Sequence, residues 1–180
     1  MTLMTSLTSL HAAGILHLGI SPENIAKVFA GDGTGYAPCT AEAVMEILKA
    51  NDIDVTGKRV TIVGRSLVVG KPLAMLMMKA NATVTVCHTR TKELEATCRN
   101  AEILVAAAGR ARMIGKEFVG ENAIVIDVGI NVDEDGKLCG DVDFGAIGGR
   151  AAMATPVPGG VGAVTTAVLA KHLTEAALRR

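Results

Sequence analysis

The sequence predicts an α/β fold of the Rossmann-like, doubly wound type, with a mainly parallel sheet of four or more strands. Short runs rich in β-branched residues alternate with segments of helical periodicity, which is the order expected for a parallel sheet covered by helices. The runs are continuously apolar rather than alternating, as in strands buried on both faces. Glycine is abundant, with 20 residues, and this suits tight strand-to-helix turns.

The predicted elements follow one another in the order strand, helix, strand. Strands are predicted at residues 59–63, 83–87, 103–107 and 124–128. Helices are predicted after a cap at Thr40, from near Gly70 to 80, from about 92 to 100, and from beyond Gly160 to the end. Residues 31–38 read as a loop, and Met75, Met77 and Met78 read as core.

The composition excludes several classes of function. Hydrophobic residues make up 49% of the chain but aromatic residues only 2%, so the core must be aliphatic. The net charge is zero and no polybasic run occurs, which argues against binding nucleic acid or an anionic membrane. No apolar run is long enough to span a bilayer, and no positive start of a signal peptide precedes the first apolar stretch. We therefore expect a cytoplasmic protein.

The cysteines and acidic residues do not suggest a metal site. Four cysteines, at 39, 87, 98 and 139, form neither a C-x-x-C pair nor a zinc-finger spacing, and are expected to be free thiols. Asp141 and Asp143 are expected to cap a helix, since no third ligand lies near. Asp127 and His88 stand at strand ends, where a structural role is favoured over proton transfer. His172 has no evident partner in the sequence.

The segment after the first strand has the features of a nucleotide-binding turn. It reads GRSLVVGKP at residues 64–72, at the position where a doubly wound fold binds its nucleotide. Gly64 is expected to make the turn, and Gly70 to let the backbone approach a phosphate at the helix N-terminus. Arg65 and Ser66 replace the middle glycine of the usual G-x-G-x-x-G. The alternative is a tight loop that binds nothing.

The end of the second strand indicates which nucleotide is bound. NAD-binding folds place an acidic residue there to hold the ribose 2′-hydroxyl. Here the strand is followed by HTRT, with no acid, and Arg90 together with Arg65 is suited to a 2′-phosphate. The sequence thus predicts NADP, although Arg90 is also typical of a solvated residue at a helix start.

Six motifs in order resemble the tetrahydrofolate dehydrogenase/cyclohydrolase family over roughly residues 22–176. They are PCT at 38–40, GRS with VGKP at 64–72, ATVTVCHTRT at 82–91, VIDVGIN at 125–131, GDVDF at 140–144 and TPVPGGVG at 155–162. The resemblance implies hydride transfer from methylenetetrahydrofolate to NADP, followed by hydrolysis of the methenyl product. It also implies tetrahydrofolate derivatives as substrates and a homodimer formed through the cofactor domain.

The resemblance also implies individual roles. Gly64, Arg65 and Ser66 would contact the NADP phosphates, with Arg65 at the 2′-phosphate, and Thr89 would lie beside the adenosine ribose. Ile130 would touch the nicotinamide half through its backbone, and residues 158–162 would line the cleft between domains. The cofactor-binding residues expected from both arguments are Gly64, Arg65, Ser66, Gly70, Thr89, Arg90, Ile130, Pro158, Gly159 and Gly160.

The chain departs from the family in its first part. The family's catalytic domain precedes the cofactor domain and carries a Tyr-x-x-x-Lys motif; the only tyrosine here, Tyr36, does not begin one. Leu18 stands where the family has the aspartate that holds the pterin. Residues 1–18 look unrelated, as if a truncated or misjoined coding region supplied them. We therefore assign no catalytic residue.

Three units are expected from this comparison. Residues 1–37 form an atypical N-terminal segment with a remnant of the junction to the catalytic domain. Residues 38–162 form the NADP-binding Rossmann domain, and residues 163–180 form a helix that packs on the catalytic domain in the family. Two alternatives to an active enzyme remain: a catalytically dead NADP-binding module, and a shikimate-type dehydrogenase, whose nucleotide loop lacks this Arg-Ser arrangement.

Overall fold

The computed structural model describes residues 19–178 as a five-stranded parallel sheet covered by helices on both faces. The expectations for residues 1–18, including Leu18, lie outside the described residues. The strands of this sheet are β1 (Arg59–Val63), β2 (Thr83–Cys87), β3 (Ile103–Ala106), β4 (Ile124–Asp127) and β7 (Met153–Ala154), in the spatial order β2-β1-β3-β4-β7. A separate two-stranded antiparallel pair is formed by β5 (Asn131–Val132) and β6 (Leu138–Cys139). The predicted fold class is confirmed.

The sheet reverses its winding direction between β1 and β3. Strand β1 pairs in parallel with β2 on one side, Val60 facing Val84, and with β3 on the other, Val60 facing Ile103. The chain therefore moves outward from β1 to β2 and then crosses back to β3. In open α/β sheets such a switch point opens a crevice at the carboxyl ends of the strands, where ligands bind.

Helices and core residues occupy both faces of the sheet. The helices are α1 (Pro22–Ala30), α2 (Cys39–Ala50), α3 (Gly70–Lys79), α4 (Leu94–Arg99), a 3₁₀ turn (Lys116–Phe118) and α5 (Val161–Leu178). Along β3, Ile103 and Val105 join a core with α2, α3 and α5, whereas Leu104 and Ala106 join a second core with α4 and the 3₁₀ turn. Alternate residues thus enter opposite cores, as the strand period requires.

Several local expectations are wrong. Helix α2 begins at Cys39, and its N-cap is Pro38 rather than Thr40, because the Pro38 carbonyl accepts the first helical bond, from the Glu42 N–H at 3.1 Å. Proline has no polar side chain, so the helix lacks a side-chain cap bond. Helix α4 is shorter than predicted, since Glu93 before it has a left-handed backbone, with φ 50°. No regular helix follows Asp143, which instead closes a turn by accepting from the Ala146 N–H at 3.1 Å.

The structure also contains elements that the sequence patterns did not predict. Helix α1 is capped by the Ser21 hydroxyl, which accepts from the Asn24 N–H at 3.2 Å, and it begins with a proline at its first turn. Met77 is buried as expected, but Met78 is 48% exposed and is not a core residue. Within residues 19–178, no helix is both long and apolar enough to cross a membrane.

Candidate functional site

The turn between β1 and α3 is held by two glycines in backbone contact. Gly64 has φ +132°, and a Cβ on it would overlap the carbonyl oxygen of Ala107 at the end of β3. A Cβ on Gly70 would overlap the carbonyl oxygen of Gly64 itself. Gly70 is buried, and its lack of a side chain allows close packing of α3 against the turn. That Gly70 also lets the backbone approach a phosphate stays a prediction.

The residues between these glycines are presented to solvent. The Ser66 hydroxyl accepts from the Val69 N–H at 3.1 Å, and the Ser66 carbonyl accepts from the Lys71 N–H at 3.1 Å, which closes the loop on itself. Arg65 is exposed, and within residues 19–178 no ion pair engages its guanidinium. An exposed arginine beside a helix N-terminus can bind an anion at little cost in broken contacts.

The segment after β2 is a compact turn next to this loop. The His88 N–H donates to the Thr91 hydroxyl at 2.8 Å, and the His88 Nδ1 accepts from the Arg90 N–H at 3.1 Å. His88 is therefore a scaffold residue, as expected, and the turn leaves Thr89 and Arg90 exposed. No acidic side chain follows the strand until Glu93.

Arg65 and the end of β2 share one groove. Its volume is about 550 Å³, and Arg65 and Lys71 are the charged groups among the described residues that line it, with His88 beside them. The remaining lining is mostly apolar, from α1, α3 and Val86, and it contains no carboxylate from residues 19–178. The groove thus combines apolar walls with a cationic end, which suits a ligand that has a flat ring and an anionic group.

A second pocket lies where β4 ends and α5 begins. Its volume is about 220 Å³, and it brings together four of the predicted residues, Ile130, Pro158, Gly159 and Gly160. Ile130 is 69% exposed at its mouth. The two pockets stand at the carboxyl ends of β2 and β4, with the Gly64 turn at the end of β1 between them in the sheet order.

Asp127 lies beneath this second pocket and has a structural set of contacts. It is 3% exposed, and its two oxygens accept from the backbone N–H groups of Gly129 at 2.9 Å, Asp141 at 3.0 Å and Val142 at 2.9 Å. A Cβ on Gly140 would overlap this carboxylate. Burial raises the pKa of Asp127, while the hydrogen bonds from Val142, Asp141 and Gly129 act in the opposite direction.

Asp141 holds the loop that follows β3. It is fully buried, and it accepts from the N–H groups of three successive residues: Ala108 at 2.6 Å, Gly109 at 2.9 Å and Arg110 at 2.8 Å. The side-chain amide of Asn131 also donates to it, at 2.9 Å. The three amides form an anion-binding nest, which the protein fills with its own carboxylate. The prediction that Asp141 caps a helix is therefore wrong.

A buried polar cluster fastens α5 to α2. His172 is 1% exposed, its Nε2 lies 2.7 Å from the Glu42 carboxylate, and its ring stands 5.0 Å from that of Tyr36. The Lys171 ammonium pairs with Glu42 at 3.0 Å and with Glu46 at 2.6 Å. Burial opposes ionisation of Glu42, yet the bonds from His172 and Lys171 prevail and lower its pKa. The expectation that His172 lacks a partner is wrong.

Comparison with known proteins identifies the family of this fold. The family model described as the tetrahydrofolate dehydrogenase/cyclohydrolase NAD(P)-binding domain matches residues 38–180. The chain belongs to this family. Among curated relatives, a bifunctional protein FolD of Clostridioides difficile is 55% identical over 156 residues, which is 87% of this chain and 54% of the relative. The chain spans about half the length of the curated relatives it matches.

Solved structures of the family superimpose closely on this one. The bifunctional FolD dehydrogenase/cyclohydrolase of Campylobacter jejuni has a TM-score of 0.88 at 42% identity, covering 90% of this chain and 57% of that one. The Trypanosoma brucei enzyme, described in complex with NADP and an inhibitor, has a TM-score of 0.82 at 38% identity, covering 88% and 57%. The predicted family is confirmed, and membership of it excludes the shikimate-type alternative.

The geometry adds one loop to the site that the motifs had not suggested. Residues 108–110 follow the carboxyl end of β3, at the edge of the sheet where ligands bind, and Asp141 holds them through three N–H groups. The signal was present in the sequence, because a glycine shortly after a strand at a switch point is typical of a ligand-side loop. Within residues 19–178, no group of three or more candidate ligands is placed to hold a metal ion.

Proposed function

We propose that this chain binds NADP at the carboxyl edge of its sheet, as the cofactor-binding half of a methylenetetrahydrofolate dehydrogenase/cyclohydrolase. The observation that carries the proposal is the exposed side chain of Arg65. Among residues 19–178, no acid pairs with it and no carboxylate lines its groove. A 2′-phosphate would supply the missing anion, whereas a free 2′-hydroxyl would call for an acid that is absent after β2.

The predicted binding residues divide between the two halves of such a cofactor. Gly64, Arg65 and Ser66 would hold the phosphates at the first turn, and Thr89 and Arg90 would lie beside the adenosine ribose. Gly70 would keep that turn in place through its contact with Gly64. At the other end, the pocket that Ile130, Pro158, Gly159 and Gly160 line has room for a flat ring of nicotinamide size, at about 220 Å³.

The proposed reaction passes a hydride from methylenetetrahydrofolate to NADP, and the methenyl product is then hydrolysed. The cofactor supplies the redox chemistry, and the residues of this chain bind and orient it and shape the crevice. The printed sequence carries no Tyr-x-x-x-Lys motif to supply a catalytic lysine. We therefore propose that the 180-residue chain by itself is a binding module without turnover, and that tetrahydrofolate derivatives are substrates only of an assembly that provides those groups.

We further propose a homodimer in the cytoplasm. Association is supported by apolar surface along α5, where Leu169, Leu173 and Leu178 are 40%, 39% and 80% exposed. The cytoplasm is a reducing compartment, and the four cysteines are free thiols, three of them buried, which supports this location. Zero net charge supports a protein that binds neither nucleic acid nor an anionic membrane.

The decisive experiment is a calorimetric titration of the full chain with NADP and with NAD at equal ionic strength. We expect tighter binding of NADP, and we expect Arg65→Ala to weaken it by about 1.5–3 kcal/mol, the range for a hydrogen bond to a charged group, with little effect on NAD. Arg59→Ala is the matched control, because Arg59 lies at the opposite end of β1 and pairs with Glu102. Equal affinities for the two nucleotides in the unaltered chain would contradict the proposal.

A further inference from the structure

We propose that the buried carboxylates of Asp127 and Asp141 make this site favour the oxidised cofactor, NADP⁺, over NADPH. The inference rests on the proposed function, because it places the nicotinamide ring in the pocket beside Ile130. It concerns which redox state of the cofactor the protein binds more tightly, and this is independent of how the protein binds the 2′-phosphate.

The two carboxylates bring buried negative charge together, and none of the ion pairs of the described residues involves either of them. Asp127 is 3% exposed and Asp141 is fully buried. Every hydrogen bond they accept comes from a backbone N–H or from the Asn131 amide, which are neutral groups. Buried charges in proteins are ordinarily paired or hydrogen-bonded, and here the stabilisation comes from neutral N–H groups alone, which leave the net negative charge in place.

The carboxylates lie directly against the pocket. Asp127 lines it, together with Gly129 and Ile130. Asp141 is packed behind Gly129 so closely that a Cβ on that glycine would overlap its carboxylate. The Asp141 N–H also donates to Asp127, at 3.0 Å, so the two groups are joined in one network. A ring in the pocket would be separated from both charges by little more than the Gly129 backbone.

The arginine that lines a cavity together with Asp127 is paired with a different acid. Arg112 shares with Asp127 the neighbouring depression below the pocket. Its guanidinium, however, is engaged by Asp133 at 2.8 Å, on the hairpin side of the site. Burial and, to a smaller extent, the charge of Asp141 raise the pKa of Asp127 against the effect of its three hydrogen bonds.

The two redox forms of the cofactor differ in the charge of the nicotinamide ring. The ring carries a positive charge in NADP⁺ and none in NADPH, while the remainder of the two molecules is the same. A low-dielectric site with net negative charge stabilises the charged ring and gains nothing comparable from the neutral one. A single charge acting across roughly 10 Å at an effective dielectric near 20 is worth about a tenfold change in affinity or somewhat more.

The first test uses the unaltered chain and three ligands: NADP⁺, NADPH and 2′-phospho-ADP-ribose, which lacks the nicotinamide. Calorimetry is expected to give about 25-fold to 100-fold tighter binding of NADP⁺ than of NADPH, since each of the two charges contributes about fivefold to tenfold. The ring should add affinity over 2′-phospho-ADP-ribose mainly in its oxidised form. Equal binding of the two redox forms, or tighter binding of NADPH, would overturn the inference. Failure of 2′-phospho-ADP-ribose and both cofactors to bind would instead count against the proposed function.

The second test removes the charges one at a time. Asp127→Asn and Asp141→Asn should each reduce the preference for NADP⁺ by about fivefold to tenfold, with circular dichroism confirming a folded protein. Glu121→Gln is the matched control, since it removes the same charge from an exposed residue at the opposite edge of the sheet. An unchanged preference in both folded asparagine variants would refute the inference. If neither variant folds, the comparison of redox forms in the unaltered chain decides.

Discussion

Replacing Glu42 by alanine tests whether the buried cluster stabilises the contact between α5 and α2. The substitution removes the carboxylate that lies 2.7 Å from the His172 Nε2 and leaves that nitrogen buried without its partner. Helix α2 itself should tolerate the change, because alanine has the highest helix propensity. Any loss of stability therefore reports the tertiary contact and not the local helix.

The structure sets the size of the effect. A hydrogen bond to a charged group contributes about 1.5–3 kcal/mol, and the deep burial of His172 places this bond at the upper part of that range. The second partner of Glu42, Lys171, is 44% exposed at its side chain and keeps its pair with Glu46, so its loss adds little. We expect a loss of about 2–3 kcal/mol in the free energy of unfolding, and a fall in Tm of about 4–10 °C.

Urea unfolding followed by circular dichroism across a range of pH measures both the size and the origin of the effect. Glu42 has a pKa lowered from its ordinary value of 4.5. Its contribution is therefore fully present above pH 4.5 and is lost as the pH falls through the lower pKa of the folded state. The difference between the original chain and Glu42→Ala should be largest near neutral pH and should shrink below pH 4.5.

Glu46→Ala is the control, since Glu46 pairs only with the partly exposed ammonium of Lys171 among the ion pairs of the described residues. It should cost less than about 1 kcal/mol. If Glu42→Ala cost no more than this control, or if its effect did not change with pH, the cluster would not be the source of stability that the geometry indicates.

Three further predictions concern the cofactor site and the assembly. Gly70→Ala places a Cβ against the Gly64 carbonyl oxygen, so we expect a loss of about 1–3 kcal/mol of stability together with weaker NADP binding. Unchanged urea midpoints and NADP affinities would contradict the packing role of Gly70. Light scattering at tens of micromolar should give a dimer or larger species, and a clean monomer would count against the proposed association. A spectrophotometric assay with saturating NADP and methylenetetrahydrofolate should detect no methenyl product, because positioning of the folate contributes roughly 7–11 kcal/mol to such reactions; turnover within tenfold of an intact family member would refute this.

The sequence predicted those elements that a short run of consecutive residues is enough to specify. Strands β1 and β2 have the predicted bounds, because a run of β-branched residues between turn signals is complete in five residues. The position of the site followed from these strands, since their carboxyl ends and the glycine turn fix where a ligand meets a doubly wound sheet. The same placement makes Arg65 a candidate for binding the 2′-phosphate.

The remaining features depend on contacts between distant parts of the chain. His172 meets Glu42 across 130 positions, and no periodicity in α5 reveals a partner in α2. Asp141 binds amides more than 30 positions earlier, so a short motif before a turn was read as a helix cap. Strand β7 has only two residues and is defined by its pairing with β4, since two residues are too few to show a pattern.

The packing of α5 on α2 also bears on how the chain folds during synthesis. The apolar face of α2 joins the core that residues of α5 complete, and Lys171 and His172 supply the polar contacts. Translation at about 5–20 residues per second separates the end of α2 from the start of α5 by on the order of 5–20 s. Throughout that interval the nascent chain presents an uncovered apolar surface, which is the kind of segment that chaperones bind.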